Sequence, residues 1–150
     1  MTSPSQTSQP DKAGRPIVLA LLSGGLDSAI VVKLMLDQGL SVLALNFISP
    51  FCTCSPKKGG GCGVAARSAQ SMGVDLRVMK KGMEYLKIVE HPRFGYGRGL
   101  NPCIDCRIYI LKKAAEVMRE VGAVCIVTGE VLGQRPMSQH RRALDIIERE

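Results

Sequence analysis

Two short stretches carry most of the residue types in this chain that can do chemistry. The first is Ser23-Gly24-Gly25-Leu26-Asp27-Ser28, which interrupts an apolar run beginning at Ile17 and resuming at Ala29. A strand that ends in paired glycines and passes straight into a helix leaves the first-turn N–H groups without intrahelical partners, which makes an anion site. The backbone N–H groups of Gly24 to Ser28 are the expected donors, with the Ser23 and Ser28 hydroxyls adding one at either end. No Gly-Lys-Ser/Thr follows, and the spacing is not Gly-x-Gly-x-x-Gly, so neither of those phosphate loops is present. A strand–glycine–helix turn also serves many α/β domains as a plain connection. The second stretch is Asn101-Pro102-Cys103-Ile104-Asp105-Cys106-Arg107. Pro102 favours a helix start directly behind it, and residues three apart then share one side of the first turn. The helix dipole and Arg107 are expected to lower both thiol pKa values. Such a pair suits a redox dithiol, half of a zinc site or cluster ligands, and two inert buried thiols is the remaining alternative.

The elements that must position these groups follow from apolar periodicity and punctuation. Strands are expected over Ile17–Leu22, Ser41–Phe47, Val74–Met79 and Ala123–Thr128. Helices are expected from Ser28 to about Gln38 (closed by Gly39), over Val64–Met72 and Met83–Glu90, from Cys103 or Ile104 to Val121 (stopped by Gly122), and from Ser138 to Glu150. In the first helix Ile30, Val31, Leu34 and Met35 are the expected inner face. In the helix behind Cys103 that face is Ile104, Ile108, Leu111, Ala115 and Met118. Alternating strands and helices imply an α/β fold: a doubly wound parallel sheet with helices on both faces and ligands beyond the carboxyl ends of the strands. Two loops stand out there, the cysteine-rich stretch containing Cys52, Cys54 and Cys62, and the basic, glycine-rich His91–Pro102.

Charge is unevenly spread. The net charge is +7, but residues 51–113 hold twelve basic and four acidic side chains, net +8. A basic segment of this kind suits a phosphate backbone, and a solvated basic face gives the same count. No run of about 18 apolar residues is present, and Met1 to Gly14 is polar with no apolar core, unlike a secretory signal. Six cysteines clustered near a phosphate-type loop fit a reducing, cytoplasmic setting. Cys125, in a Val/Ile strand, reads as an inert core residue. His91 and His140 are assigned no role.

The Ser-Gly-Gly-x-Asp-Ser loop resembles the pyrophosphate-binding loop of the PP-loop ATP pyrophosphatases. With Asn-Pro-Cys-x-x-Cys-Arg about 75 residues later, the chain is similar to the tRNA thiouridine synthases of the 2-thiouridine and 4-thiouridine type. Thr128-Gly129-Glu130, Gly133-Gln134 and Ser138-Gln139 resemble a further stretch of the 4-thiouridine synthases, on the nucleotide side of their cleft. The likeness covers roughly residues 16–142. It implies an adenine nucleotide α-hydrolase-like fold, with residues 1–15 a disordered leader and 16–150 the PP-loop ATP-binding domain, truncated at its C-terminus. It also implies ATP-dependent thiolation of a tRNA pyrimidine: adenylation of a carbonyl oxygen, release of pyrophosphate, then sulfur transfer.

In that scheme Ser23, Gly24, Gly25, Asp27 and Ser28 hold the phosphates, with Asp27 on the side of Mg²⁺ or simply capping the helix. Asn46 and Phe47 lie where adenosine would sit or are strand-end packing, and Gly129 and Gln134 complete the nucleotide side. Cys106 is the expected catalytic sulfur and Cys103 its partner. The iron–sulfur-dependent relatives suggest that both ligate a [4Fe–4S] cluster, or zinc, with Cys52, Cys54 and Cys62 as further ligands. Arg93, Arg98, Lys57 and Lys58 are the candidates for tRNA phosphates. The expected partners are tRNA, a sulfur donor (protein persulfide or sulfide) and a second copy in a homodimer, with no membrane. Two other classes fit parts of the pattern: a small-molecule adenylating amidoligase, and a truncated, non-catalytic nucleotide- or metal-binding module.

Overall fold

In a computed structural model the described residues are 14–51, 63–97, 99–135 and 137–150. Their order is β1 (Ile17–Leu21), α1 (Leu26–Asp37), β2 (Ser41–Ile48), α2 (Gly63–Ser71), β3 (Asp75–Lys80), α3 (Met83–Glu90), α4 (Cys103–Val121), β4 (Cys125–Thr128) and α5 (Arg141–Arg149). All the strand pairs are parallel, in the sheet order β3-β2-β1-β4. The chain therefore leaves β1 towards one edge and later returns to the other side of β1. That reversal is where doubly wound sheets place ligands.

Alternation along the strands divides the core into two layers. Val18, Ala20 and Leu22 pack with Val32 of α1 and with Ala65 and Ala69 of α2. Leu19, Leu21 and Leu45 face Ala114 and Val117 of α4. The helices α3 and α5 pack on α4 rather than on the sheet. Register creates a step at the carboxyl edge: Leu21 lies opposite both Leu45 and Thr128, whereas β2 and β3 continue as far as Ile48 and Lys80. Three further residues extend the wall by about 10 Å beyond β1 and β4.

Several expectations need correction. Helix α1 starts at Leu26 rather than Ser28, and its buried residues are Ser28 and Val32, while Ile30 and Leu34 are exposed. Ala114 and Val117 form the deepest part of α4. Leu111 and Met118 flank them, whereas Ile108 lines a groove with Ile88 of α3 and Phe94. Helix α5 begins at Arg141 because His140 caps it, its Nδ1 accepting from the Ala143 N–H at 3.2 Å. Cys125 is exposed, not buried, because β4 pairs only with β1 among the described strands. Gly39 and Gly122 end their helices as expected, at φ +77° and +67°. Of the expected leader only residues 14 and 15 are described, and Cys52, Cys54, Cys62, Lys57, Lys58 and Arg98 lie outside the described residues.

Candidate active site

A cleft of about 580 Å³ opens where β1 and β4 stop short. Its phosphate-type end is the turn from β1 into α1. Gly24 makes that turn at φ +89°, and a Cβ there would stand 2.8 Å from the backbone nitrogen of Ala65, so only glycine fits. Ser28 organises the turn from within. Its hydroxyl donates to the Gly25 carbonyl at 2.8 Å, lies 3.1 Å from the Ser23 hydroxyl, and accepts from the Ser23 N–H at 3.3 Å. The Gly25 N–H in turn donates to Ser23 Oγ at 3.2 Å. The Ser28 hydroxyl is thus committed within the loop, contrary to the expectation of a free donor. Helix α1 has no side-chain cap, so its first-turn N–H groups remain the donors for an anion. Asp27 lies in that first turn and lines the cleft, two residues beyond the cap, which is Gly25.

The opposite side comes from β4 and the connection behind it. Gly129 sits against the start of α1 so closely that a Cβ would lie 2.6 Å from the Ser28 nitrogen. Glu130, Gln134 and Gln139 then line the cleft. The step in the sheet supplies Asn46 and Phe47. Asn46 is buried, and its Nδ2 donates to the Leu22 carbonyl at 2.8 Å.

The cysteine end comes from the first turn of α4, where both Cys103 and Cys106 line the cleft. Asp105, between them, faces away and accepts from the N–H groups of Arg93 and Phe94 at 3.1 and 3.0 Å, which fixes the basic loop to α4. Arg107 does not serve the thiols. Its guanidinium pairs with Glu130 at 2.7 Å, both side chains being largely buried. The expected lowering of both thiols fails for Cys103, because burial pushes its pKa up and neighbouring Cys106 adds to the rise. Cys106 has other company: Lys81 Nζ donates to its sulfur at 3.0 Å and the Tyr85 hydroxyl at 3.5 Å.

Three buried polar side-chain atoms have no partner among the described residues: Asn46 Oδ1, Arg107 Nε and Gln139 Oε1. All three residues line this cleft. Among the described residues no group of three or more His, Cys, Asp or Glu could hold a metal ion.

A family model described as thiamine biosynthesis protein (ThiI) matches residues 14–150. The chain belongs to the ThiI family. A probable tRNA sulfurtransferase of Methanothermobacter thermautotrophicus is 32% identical over 118 residues, covering 78% of this chain and 30% of that protein. A tRNA-specific 2-thiouridylase (MnmA) of Bartonella quintana is 26% identical over 145 residues, covering 89% of this chain and 34% of its own length. The chain thus spans about a third of the length of these curated relatives. A crystal structure of a 4-thiouridine synthetase–RNA complex with bound ATP matches with a TM-score of 0.64 at 24% identity, over 89% of this chain and 34% of that one. An NH3-dependent NAD synthetase from Campylobacter jejuni matches with a TM-score of 0.53 at 17% identity, over 77% of this chain and 47% of that one. At these identities the likeness concerns the fold, which is the expected PP-loop, adenine nucleotide α-hydrolase-like one.

The cleft is lined by Ser23, Gly25, Asp27, Ser28, Asn46, Phe47, Cys103, Cys106, Gly129 and Gln134, while Gly24 shapes the turn behind them. Arg93 lies apart from it, paired with Glu150 at 2.7 Å and stacked on Phe94. Lys81, Tyr85 and the Arg107–Glu130 pair were not anticipated from the sequence. The available signal was a lysine at the carboxyl end of a parallel strand, followed by Gly82 and a helix.

Proposed function

We propose that this domain carries out ATP-dependent thiolation of tRNA. The observation that carries it is the placement of the Ser23–Ser28 turn and the Cys103/Cys106 pair on one cleft. The α1 N-terminus would hold the β- and γ-phosphates of ATP, with Asn46 and Phe47 beside the nucleoside. A pyrimidine carbonyl oxygen attacks the α-phosphorus, the α–β bridge breaks, and pyrophosphate leaves. Donors fixed around that bridge stabilise the developing charge without reorganising. Sulfur then attacks the same ring carbon and AMP departs with the former carbonyl oxygen. One donor, sulfide, would attack the activated ring carbon directly without passing through Cys106. With the other, Cys106 would carry that sulfur as a persulfide, its thiolate taking the outer sulfur of a protein persulfide whose own thiolate leaves. Attack by Cys103 on Cys106 Sγ would then break the S–S bond, leaving the thiocarbonyl on the base and a Cys103–Cys106 disulfide that an external thiol reduces.

Asp27 would take Mg²⁺, which would neutralise departing pyrophosphate. Cys103 and Cys106 would supply two of the thiolates that a [4Fe–4S] cluster or zinc takes, and the cluster would supply sulfide chemistry at the cleft. Among the described residues no helix is long and apolar enough to cross a membrane, and action in the cytoplasm on tRNA follows from the proposed substrate. The basic loop tied to α4 through Asp105 would face the RNA.

The test is the purified chain with ATP, unmodified tRNA, a protein persulfide donor and a thiol reductant, scored for thiouridine by mass spectrometry and for AMP. Cys106→Ala is expected to abolish thiouridine while RNA-dependent AMP release persists. Thiouridine at the wild-type level in that variant would refute the assignment. AMP release that needs a small acid and no RNA would favour the amidoligase class instead.

A further inference from the structure

We propose that Lys81 and Tyr85 are positioning residues for the sulfur of Cys106, with the Lys81 ammonium the countercharge for negative charge on that sulfur. The proposal deepens the thiolation chemistry above and rests on it. Three elements converge on the one atom. Lys81 directly follows β3, and its N–H continues the ladder by donating to the Ile48 carbonyl at 2.8 Å, so its backbone is fixed by the sheet. Tyr85 stands on the first turn of α3, is buried, and packs against Tyr109 of α4 with ring centroids 5.6 Å apart. Lys81 Nζ lies 4.2 Å from the Tyr85 ring centroid as well as 3.0 Å from Cys106 Sγ, so the aromatic face fixes the ammonium against the sulfur.

The other charged and titratable groups near Cys106 are accounted for. Arg107 is held by Glu130, and Tyr109 donates to Glu84 at 3.0 Å. Cys103 has no cation at hydrogen-bond distance among the described residues, and Arg135 acts on it only from farther off, too weakly to offset its burial. The two cysteines of one motif thus have unequal surroundings, which residue spacing alone does not distinguish. A sulfur carrier needs that inequality: one sulfur bears charge as it accepts and passes on sulfur, while its partner waits as a thiol. The ammonium also selects among donors, favouring an anionic persulfide over neutral sulfur compounds.

Alkylation by two reagents of similar size and different charge, iodoacetate and iodoacetamide, reads this directly. Both attack the same thiolate, so their rate ratio at one cysteine does not depend on how much of it is ionised. Fragment-ion mass spectrometry separates Cys103, Cys106 and the exposed reference Cys125. At low ionic strength, where a nearby charge is least screened, the iodoacetate-to-iodoacetamide ratio at Cys106 should exceed that at Cys125 by about fivefold or more. Lys81→Met should bring it down to the Cys125 value, and Lys81→Arg should retain it. Tyr85→Leu, which removes the aromatic face under the ammonium, should lower it in part by loosening the ammonium. An unchanged ratio in Lys81→Met overturns the proposal. So does a wild-type ratio at Cys106 no greater than at Cys125, a comparison that needs no variant to fold. Because no RNA is involved, a protein that shows the charge preference and yet makes no thiouridine would refute the thiolation chemistry and leave the countercharge standing.

Discussion

Alanine at position 129 tests whether the connection after β4 is seated on the N-terminus of α1. Its Cβ would stand 2.6 Å from both the Asp27 carbonyl carbon and the Ser28 nitrogen, and 2.7 Å from the Asp27 oxygen. Carbon contacts are optimal at about 3.5–4.0 Å, so one of the two segments must retreat by about 1 Å. The obstacle is backbone, on a helix anchored to the core by Val32, and no rotamer change relieves it. Overpacking of this kind costs roughly 1–3 kcal/mol. In a chain of this length each kcal/mol lowers Tm by about 4 °C. The retreat also moves either the first-turn N–H groups of α1 or the Gln134 and Gln139 side of the cleft out of place, so affinity for an ATP analogue should fall by at least about tenfold, or about 1.4 kcal/mol. Calorimetric titration and thermal unfolding by circular dichroism measure both effects. Gly25→Ala is the matched control. Its Cβ meets only Ser23 Oγ, at 3.5 Å, and φ is −79°, so its stability should stay within about 0.5 kcal/mol of wild type. A Gly129→Ala protein with wild-type Tm and wild-type affinity would show that the segments do not touch.

Two further outcomes are expected. Asp105→Ala removes the acceptor for the Arg93 and Phe94 N–H groups, so hydrogen exchange at those two amides should speed up by about tenfold with a global loss of about 1 kcal/mol. Unchanged exchange there would mean that the basic loop is held by something else. Stability should also fall at alkaline pH, since burial raises the pKa of Cys103 and drives that of Tyr85 well above the usual tyrosine range, with its bond to Cys106 adding to the rise. A fold that favours the protonated forms keeps that contribution whole below the unfolded pKa values, about 8.5 for cysteine and 10 for tyrosine. It loses the contribution as pH rises through the higher folded values. Urea midpoints should therefore drop between pH 8 and 11, less steeply in Cys103→Ala. A midpoint that holds steady in the wild type would contradict the burial of both groups.

What could be read from the sequence, and what could not, divides on locality. Gly39, Gly122 and the Pro102–Cys103 junction are punctuation that acts within a few residues, and the helices ended and began there. The inner face of α1 was not legible for a local reason too. Ile30, Val31, Val32, Leu34, Met35 and Leu36 lie all round the helix and only Lys33 and Asp37 mark an outer side, so periodicity carries little phase until the sheet imposes one. The Cys106 environment was illegible for the opposite reason. Residues 81 and 106 meet only because β3 is an outer strand and α3 folds back onto α4, a consequence of sheet order rather than of any motif. Cys125 failed likewise, since a Val/Ile strand looks the same from sequence whether it is central or at an edge.

The three unpartnered atoms suggest how the cleft is divided. Each buried polar group without a partner costs roughly 1–3 kcal/mol, which is large beside a total stability of about 5–15 kcal/mol. Their residues, Asn46, Arg107 and Gln139, all face the cleft, so what completes them enters from it. A phosphate offers acceptors only, and the α1 N-terminus already meets it with donors. Asn46 Oδ1 and Gln139 Oε1 are acceptors and need a donor, which a nucleobase or ribose has and a phosphate lacks. The phosphate end and the base end are therefore built from different chemistry, one from backbone and one from amides. Gln139→Leu separates them: stability without ligand should be unchanged or slightly raised, because an unmatched acceptor is removed. Binding of an ATP analogue should weaken by about tenfold, while binding of pyrophosphate alone should not change. A loss of more than about 1 kcal/mol in the ligand-free protein would mean that the fold itself satisfies this amide, and the division of the cleft would then rest on Asn46 alone.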